Sequence, residues 1–476
     1  MRVVLVSTYD LGRQPFGLAS PAAWLREAGA EVVCVDLSRS PLPEAAVRAA
    51  DLVAFHLPMH TATRLALPVI DRVRALNPRA RICCYGLYAP PNRALLESRG
   101  VEIVLGGEFE ADLLAAVGFG TPAGPAETPP AVRESSIDTG HEVAAERRPG
   151  GVQASGTRPP LPRLRFRVPD RTGLPPLDRY AALRLPGGAR RTVGHTEASR
   201  GCKHLCRHCP VVPIYEGRFR IVPVDVVLAD IRAQVAAGAE HITFGDPDFF
   251  NGPRHAVAVV TALAREWPRL TYDVTIKIEH LVRHASLLPL LRETGCVLVT
   301  SAAESIDDEV LAKLAKGHTR ADIERAVALC RDAGLALAPT FVAFTPWTTL
   351  GGYCELLRFV AEQDLVEQVA PIQLALRLLI PEGSRLLELD DVRRLLGPFD
   401  PEALVHPWVH PDPEVDRLQE DIQALVGAQP DAPRAHVFAE VWRLAHERAR
   451  IAAPPLPRAV LVDRAAVPYL TEPWYC

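Results

Sequence analysis

Over the first 120 residues, short apolar runs alternate with stretches whose apolar positions recur every three to four residues. Arg2–Thr8, Glu31–Leu37, Leu52–Leu57, Arg81–Gly86 and Ile103–Leu105 read as strands. Ala19–Ala28, the segment near Pro43–Ala50 and Thr63–Leu76 have helical spacing, and a further helix follows Gly106-Gly107-Glu108-Phe109-Glu110. Strands separated by helices pair in parallel, so residues 1–120 are predicted to form a doubly wound α/β sheet. Ligand crevices in such sheets lie at the carboxyl ends of the strands. From Thr121 to Pro169 the chain becomes dense in Pro, Gly, Ser, Thr and charge, with few large apolar residues. Such a segment buries too little to order itself, and residues 121–170 read as a disordered linker.

The alternation resumes near Thr192. Strands are predicted at His195–Ser199, His241–Phe244, Leu270–Ile278, Cys296–Ser301, Leu335–Phe344 and Ala370–Leu379. Helical spacing separates them at Val224–Ala237, Val257–Trp267, Leu281–Thr294, Asp307–Leu314, Arg320–Ala333 and Gly352–Gln363. Six strand–helix repeats over residues 171–385 predict a partial (β/α)6 barrel, with its site at the carboxyl ends of the strands. Residues 386–476 differ: Pro413–Leu425 and Ala435–Arg450 have helical periodicity and are expected to form a helical cap, followed by the Pro-rich strip Ala453–Cys476.

Composition narrows the partners. The chain has 476 residues, 48% apolar and 23% charged, with a net charge of −4. That is ordinary for two or three soluble domains and points to neither nucleic acid nor a membrane surface. The first residues lack a secretory signal, and ten cysteines in this length do not make a disulfide scaffold, so a reducing cytoplasm is the expected compartment.

The chemistry concentrates in Ser199-Arg200-Gly201-Cys202-Lys203-His204-Leu205-Cys206-Arg207-His208-Cys209-Pro210. Cys202, Cys206 and Cys209 are spaced three residues and then two, close enough to reach one inorganic cluster. Three thiolates on four irons leave one iron open, and an open position marks a ligand-transforming site. Other readings of the same residues are a structural zinc site completed by His204 or His208, a redox pair of Cys206 and Cys209, and small buried hydrophobes.

The motif resembles that of the radical S-adenosylmethionine enzymes. That resemblance implies a 4Fe-4S cluster, S-adenosyl-L-methionine chelated at its open iron, and an electron donor such as flavodoxin or ferredoxin. It also implies radical chemistry on a small molecule or peptide. Carried onto the strand ends, it suggests His208 for the adenine, and Gly245 and Asp246, with Asp248 as a second acid, for the methionyl ammonium. It further suggests Glu304 and the backbone at Val342 for contacts to the cofactor. Lys277 is a candidate for a carboxylate or anion contact; period-two alternation puts it on one strand face with Glu279. The blander readings are an Asp-Pro turn at Asp246-Pro247, a mutual Lys277–Glu279 ion pair and a cap at Glu304 for the Asp307 turn. Arg377, a lone charge in an apolar strand, is expected to face the barrel centre or find a partner.

Residues 1–120 resemble the cobalamin-binding-like domain that precedes many such barrels, on the strength of Gly106-Gly107-Glu108 before a helix. The Asp-x-His-x-x-Gly motif that supplies an axial histidine is absent: the first strand runs into Tyr9-Asp10-Leu11-Gly12-Arg13. His56 and His60 are the remaining candidates. Finally, Thr471-Glu472-Pro473-Trp474-Tyr475-Cys476 together with Ile380-Pro381-Glu382-Gly383-Ser384 resembles a subgroup whose tail continues through a second Cys or a selenocysteine into Ala-Glu-Pro. That implies a reactive Cys476 and a selenocysteine codon after it, an expectation that reading the next codons checks. A non-catalytic zinc or iron–sulfur protein is the opposing functional class.

Overall fold

The computed structural model describes residues 1–118, 164–456 and 469–471. Most of the expected linker, and Cys476, lie outside the described residues.

Five strands form the N-terminal sheet: β1 (Arg2–Ser7), β2 (Glu31–Asp36), β3 (Leu52–His56), β4 (Arg81–Tyr85) and β5 (Ile103–Leu105). They are parallel, in the order β2-β1-β3-β4-β5. Period-two alternation explains why helices cover both faces. Val3 and Leu5 pack with Leu18, Leu25 and Leu113 on one side. Val4 and Val6 pack with Val47, Ile70 and Leu96 on the other.

The second sheet collects β6 (Ala182–Arg184), β7 (Arg190–Thr196), β10 (His241–Phe244), β11 (Thr271–Thr275), β12 (Cys296–Glu304), β13 (Ala336–Phe341) and β14 (Tyr469–Leu470), while β8 (Ser199–Gly201) and β9 (Phe219–Ile221) form a separate ribbon. From β7 to β13 the strands are parallel and curl into a half-barrel, and β6 and β14 extend its edge antiparallel. The expected sixth strand contributes only one bridge, between Phe344 and Arg377. Pro371 starts a 3-10 turn over Pro371–Leu374, and the Gln373 side chain, rather than a neighbouring strand, accepts from the Phe341 amide at 3.0 Å. Helices Pro413–Gly427 and Arg434–Ala449 share the half-barrel's core through Leu418, Ile422, Phe438 and Trp442.

Two arginines, Arg171 half-buried and Arg200 buried, join the sheets. Arg171 reaches Asp230 at 2.9 Å, the Gln14 side-chain oxygen at 2.9 Å and the His195 carbonyl at 2.5 Å. Arg200, on β8, donates to Glu110 at 2.6 Å, Glu197 at 2.8 Å and Ser20 at 3.0 Å, with Glu108 at 3.7 Å. Tyr215 donates to Glu108 at 3.0 Å. The acidic end of the Gly-Gly-Glu stretch therefore anchors the base of the cysteine loop. Burial pushes the Glu108 carboxyl up, with Glu110 adding to it against Arg200. Removing the guanidinium strands these carboxylates in the interior. Arg200→Ala should lower the free energy of unfolding by about 3–5 kcal/mol in denaturant titrations, and a loss below about 1 kcal/mol would contradict this role.

Candidate functional site

The ribbon frames the cysteine loop. Ser199 pairs with Ile221, Arg200 with Arg220 and Gly201 with Phe219, so the ribbon closes the base of the loop that carries the cysteines. Gly201 has φ 76°, and a Cβ there would meet the Arg218 carbonyl oxygen at 2.5 Å. Only glycine fits. Within the loop the Cys209 amide donates to the Cys206 carbonyl at 3.2 Å, a tight turn that keeps these two thiols on neighbouring positions.

Side chains from successive strand ends hold this loop. After β10, Asp246 accepts from the Ala198 amide at 2.9 Å and the Ser199 hydroxyl at 2.6 Å. Burial lifts its carboxyl to about 6 against those bonds. Gly245 donates its amide to the Thr196 carbonyl at 2.7 Å, and a Cβ on it would meet His195 Nε2 at 2.4 Å. The Asp246 carboxylate is thus engaged inside the protein, by residues far away in sequence rather than by a local turn. Asn251, which sequence reasoning missed, accepts from the Lys203 amide at 3.3 Å and from Cys202 Sγ at 3.8 Å, and donates to the Gly201 carbonyl at 3.3 Å.

Asp248 lies between two imidazoles. Its Oδ2 is 2.6 Å from His280 Nδ1 and 3.4 Å from His204 Nε2. Burial pushes its carboxyl up, but His204 and His280 overcome that and hold it well below the usual carboxylate range. Lys277 and Glu279, expected on one face of a strand reaching Ile278, lie past its end: β11 stops at Thr275 and Lys277 precedes the helix Ile278–Arg283. Their mutual ion pair is present at 3.2 Å, and Lys277 Nζ also sits 3.0 Å from His204 Nδ1.

At the end of β12, Glu304 has φ 66°, an unusual conformation for a residue with a Cβ. Its Oε1 lies 3.1 Å from His208 Nε2 and 3.3 Å from the buried Lys316 ammonium. Burial raises its carboxyl, yet Lys316 and His208 bring it down to about 2. The Val342 amide is spent on the Glu304 carbonyl at 2.9 Å. Arg207 completes the set, with its amide on the Leu314 carbonyl at 3.0 Å and its guanidinium on the Lys313 carbonyl at 2.7 Å. The structure thus brings His208, Asp246, Asp248, Lys277 and Glu304 to one rim around the cysteines. It does not bring Arg377 there. That guanidinium pairs with Asp416 at 2.6 Å and stacks on Trp408 at 3.6 Å, because the missing ladder turns it toward the C-terminal helices.

The thiols suit a cluster better than zinc. Burial lifts Cys202 to about 11 and Cys209 to about 12, with neighbouring thiols adding to each and Lys277 or Lys316 opposing. They lie close to ammonium groups that offset an anionic centre, and become thiolates when metal displaces their protons. Among the described residues, the metal-ligating atoms drawn within 4.8 Å of one another belong to His204, Asp248 and His280, not to the three cysteines. A tetrahedral zinc with Zn–S of about 2.3 Å needs sulfurs roughly 3.8 Å apart.

A narrow cleft runs beside the loop, lined by Leu87, Tyr88 and Pro91 of the N-terminal domain, by His208, Cys209 and Pro210, and by Pro381–Ser384. Neither N-terminal histidine candidate lines it. His56 is buried against Tyr85 and Phe109, in space left by the missing Cβ of Gly17, and burial drops it to about 3. His60 bonds the Ala403 carbonyl at 2.6 Å. Among the described residues no helix is long and apolar enough to cross a membrane.

Residues 196–346 match the model of the Radical SAM superfamily. The ribosomal protein uS12 methylthiotransferase RimO of Geotalea uraniireducens is 26% identical over 184 residues, 36% of this chain and 40% of that protein. The hopanoid C-3 methylase of Methylococcus capsulatus is 26% identical over 151 residues, 32% of this chain and 29% of that one. The chain therefore spans less than half of these curated relatives. Among solved structures, the cobalamin-dependent S-adenosylmethionine radical enzyme OxsB with aqua-cobalamin bound superposes with a TM-score of 0.66 at 16% identity, over 90% of this chain and 67% of that one. The radical S-adenosylmethionine methyltransferase TsrM of Kitasatospora setae, with cobalamin and a 4Fe-4S cluster, gives 0.60 at 16% identity, over 95% and 100%. The likeness is one of fold: an N-terminal parallel sheet followed by a half-barrel.

Glu304 gives a pH test. Its folded value of about 2 lies below the ordinary 4.5, so its contribution to stability is present above 4.5 and lost as pH falls toward 2. Between those limits the unfolding free energy should fall by roughly 3 kcal/mol more in the native chain than in Glu304→Gln. Parallel pH profiles would contradict the assignment.

Proposed function

We propose that the chain is a radical S-adenosylmethionine enzyme, on the strength of the family match over residues 196–346, and that Cys202, Cys206 and Cys209 hold its 4Fe-4S cluster. When bound, the cluster supplies the electron that cleaves S-adenosyl-L-methionine to a 5′-deoxyadenosyl radical. What carries this reading is the placement of three cysteines in one loop, fastened to the ends of three successive strands on the rim where such barrels work.

The protein's own residues have separable tasks. Glu304 and Lys316 fix the His208 ring beside Cys209, where it is offered to the adenine. The backbone of Gly245 and Val342 borders the same rim. Asp246, Asp248 and Lys277 are better read as positioning residues than as direct cofactor contacts, because their charged atoms already engage the loop. The radical acts on a small molecule or peptide, with flavodoxin or ferredoxin as the class of reductant. Relatives named as methylase and methylthiotransferase favour transfer of a one-carbon unit.

Cobalamin would enter at the interface of the two sheets. The cleft there holds little more than a water, far below the size of small-ligand pockets, so a corrin fits only if Tyr88, Pro91 and Pro381 give way. We route no step through it. The finer resemblance to the Cys-Cys or Cys-selenocysteine tail subgroup belongs to the same proposal: Pro381–Ser384 line the cleft, and Cys476 would act as hydrogen-atom donor, quencher or ligand.

Anaerobic reconstitution followed by assay of 5′-deoxyadenosine tests the reading. The native chain should form it under reduction, and Cys206→Ala should lose both the cluster absorbance and the product. A fully loaded, reduced sample that leaves S-adenosyl-L-methionine intact would favour the structural-metal alternative.

A further inference from the structure

Three side chains from separate parts of the chain converge beneath the cysteine loop. His204 belongs to the loop, Asp248 to the turn after β10, and His280 to the helix after β11. His204 Nε2, Asp248 Oδ2 and His280 Nδ1 lie within 4.8 Å of one another. The carboxylate oxygen is 2.6 Å from one imidazole nitrogen and 3.4 Å from the other. All three atoms are buried, and beyond these contacts with one another none of them has a hydrogen-bond partner. Polar atoms buried with so few partners are costly. A single ion between them would meet all three.

We propose that His204 Nε2, Asp248 Oδ2 and His280 Nδ1 form a second metal site, for a divalent transition ion, separate from the cysteine cluster. Two imidazoles and one carboxylate are a donor set used by zinc and by ferrous sites that keep positions open to water or substrate. The Asp248 and His280 side chains are 2% and 0% exposed, while His204 at 13% leaves a path of entry. Behind His204, Glu279 Oε2 stands 3.7 Å from Nδ1, the carboxylate that commonly backs a ligating imidazole. Lys277 Nζ is 3.0 Å from the same Nδ1 and 3.2 Å from Glu279. An ion on Nε2 puts the hydrogen on Nδ1, so the ammonium must turn away from the ring and keep Glu279 alone. The two carboxylates offset the ion and the lysine. The site ties the loop to both neighbouring strand ends, and it does not rest on the cluster reading, because none of its ligands is a cysteine.

Zinc is the probe. The full chain, reconstituted anaerobically, is equilibrated with zinc and freed of excess, and zinc and iron are then measured together. About one zinc per chain is expected alongside an unchanged iron content. His280→Ala should weaken zinc binding at least tenfold while keeping the iron, and Asp248→Asn should weaken zinc binding to a similar degree. Lys277→Met should retain zinc or bind it more tightly. X-ray absorption at the zinc edge of the native chain should show nitrogen and oxygen at about 2.0–2.1 Å and no sulfur near 2.3 Å. A native chain without zinc, zinc retained equally by His280→Ala and Asp248→Asn, or sulfur in the zinc shell would each overturn the proposal. Loss of 5′-deoxyadenosine formation with the zinc intact would instead count against the cluster reading alone.

Discussion

The cysteine loop has almost no backbone ladder of its own, and its three thiols must nevertheless be presented together. Hydrogen bonds from buried side chains do that work. Asp246 holds the start of the loop through Ala198 and Ser199, Asn251 holds Cys202 and Lys203, Lys277 meets His204, and Glu304 meets His208. These residues follow or end three successive strands, β10, β11 and β12. The half-barrel is therefore a requirement of the loop: parallel strands deliver all their carboxyl ends to one rim.

The same loop is tied to the N-terminal sheet through Arg200. Its guanidinium, buried among Glu108, Glu110 and Glu197, makes the two sheets share one electrostatic centre at the root of the cluster site. Such a centre is weak evidence for net stability but strongly penalises the loss of one member. It also explains why the Gly-Gly-Glu stretch ends where it does: Glu108 and Glu110 are spent on Arg200 and Tyr215 rather than on a ligand. Glu304 pays a local conformational cost for its position, with its left-handed backbone turning its carboxylate onto His208 and Lys316.

Much of this fold was legible because its strands are buried runs separated by amphipathic helices, a pattern that survives without knowledge of partners. Fine boundaries were less so. A three-residue misjudgement, ending the strand at Ile278 rather than Thr275, put Lys277 on a strand face with Glu279 instead of past its end, and Pro371 with Gln373 replaced the expected sixth strand by a single bridge. The cysteine spacing was plain, but the commitments of Asp246 and Asp248 were not, since their partners lie about 50 residues upstream and 32 residues downstream. Arg200 and Asn251 carried a faint signal: an arginine between small residues just before the motif, and an asparagine closing the Phe-Phe turn. Neither identifies a partner from local sequence.

The central claim is that three cysteines hold a cubane whose fourth iron is free to bind S-adenosyl-L-methionine. Mössbauer spectroscopy of the iron-57 cluster in the anaerobic full chain, with and without S-adenosyl-L-methionine, tests it most directly. The account predicts that adding the cofactor shifts one iron of the four away from the other three. Four irons unchanged by the cofactor, or a cysteine site that takes no iron under reconstitution, would contradict it.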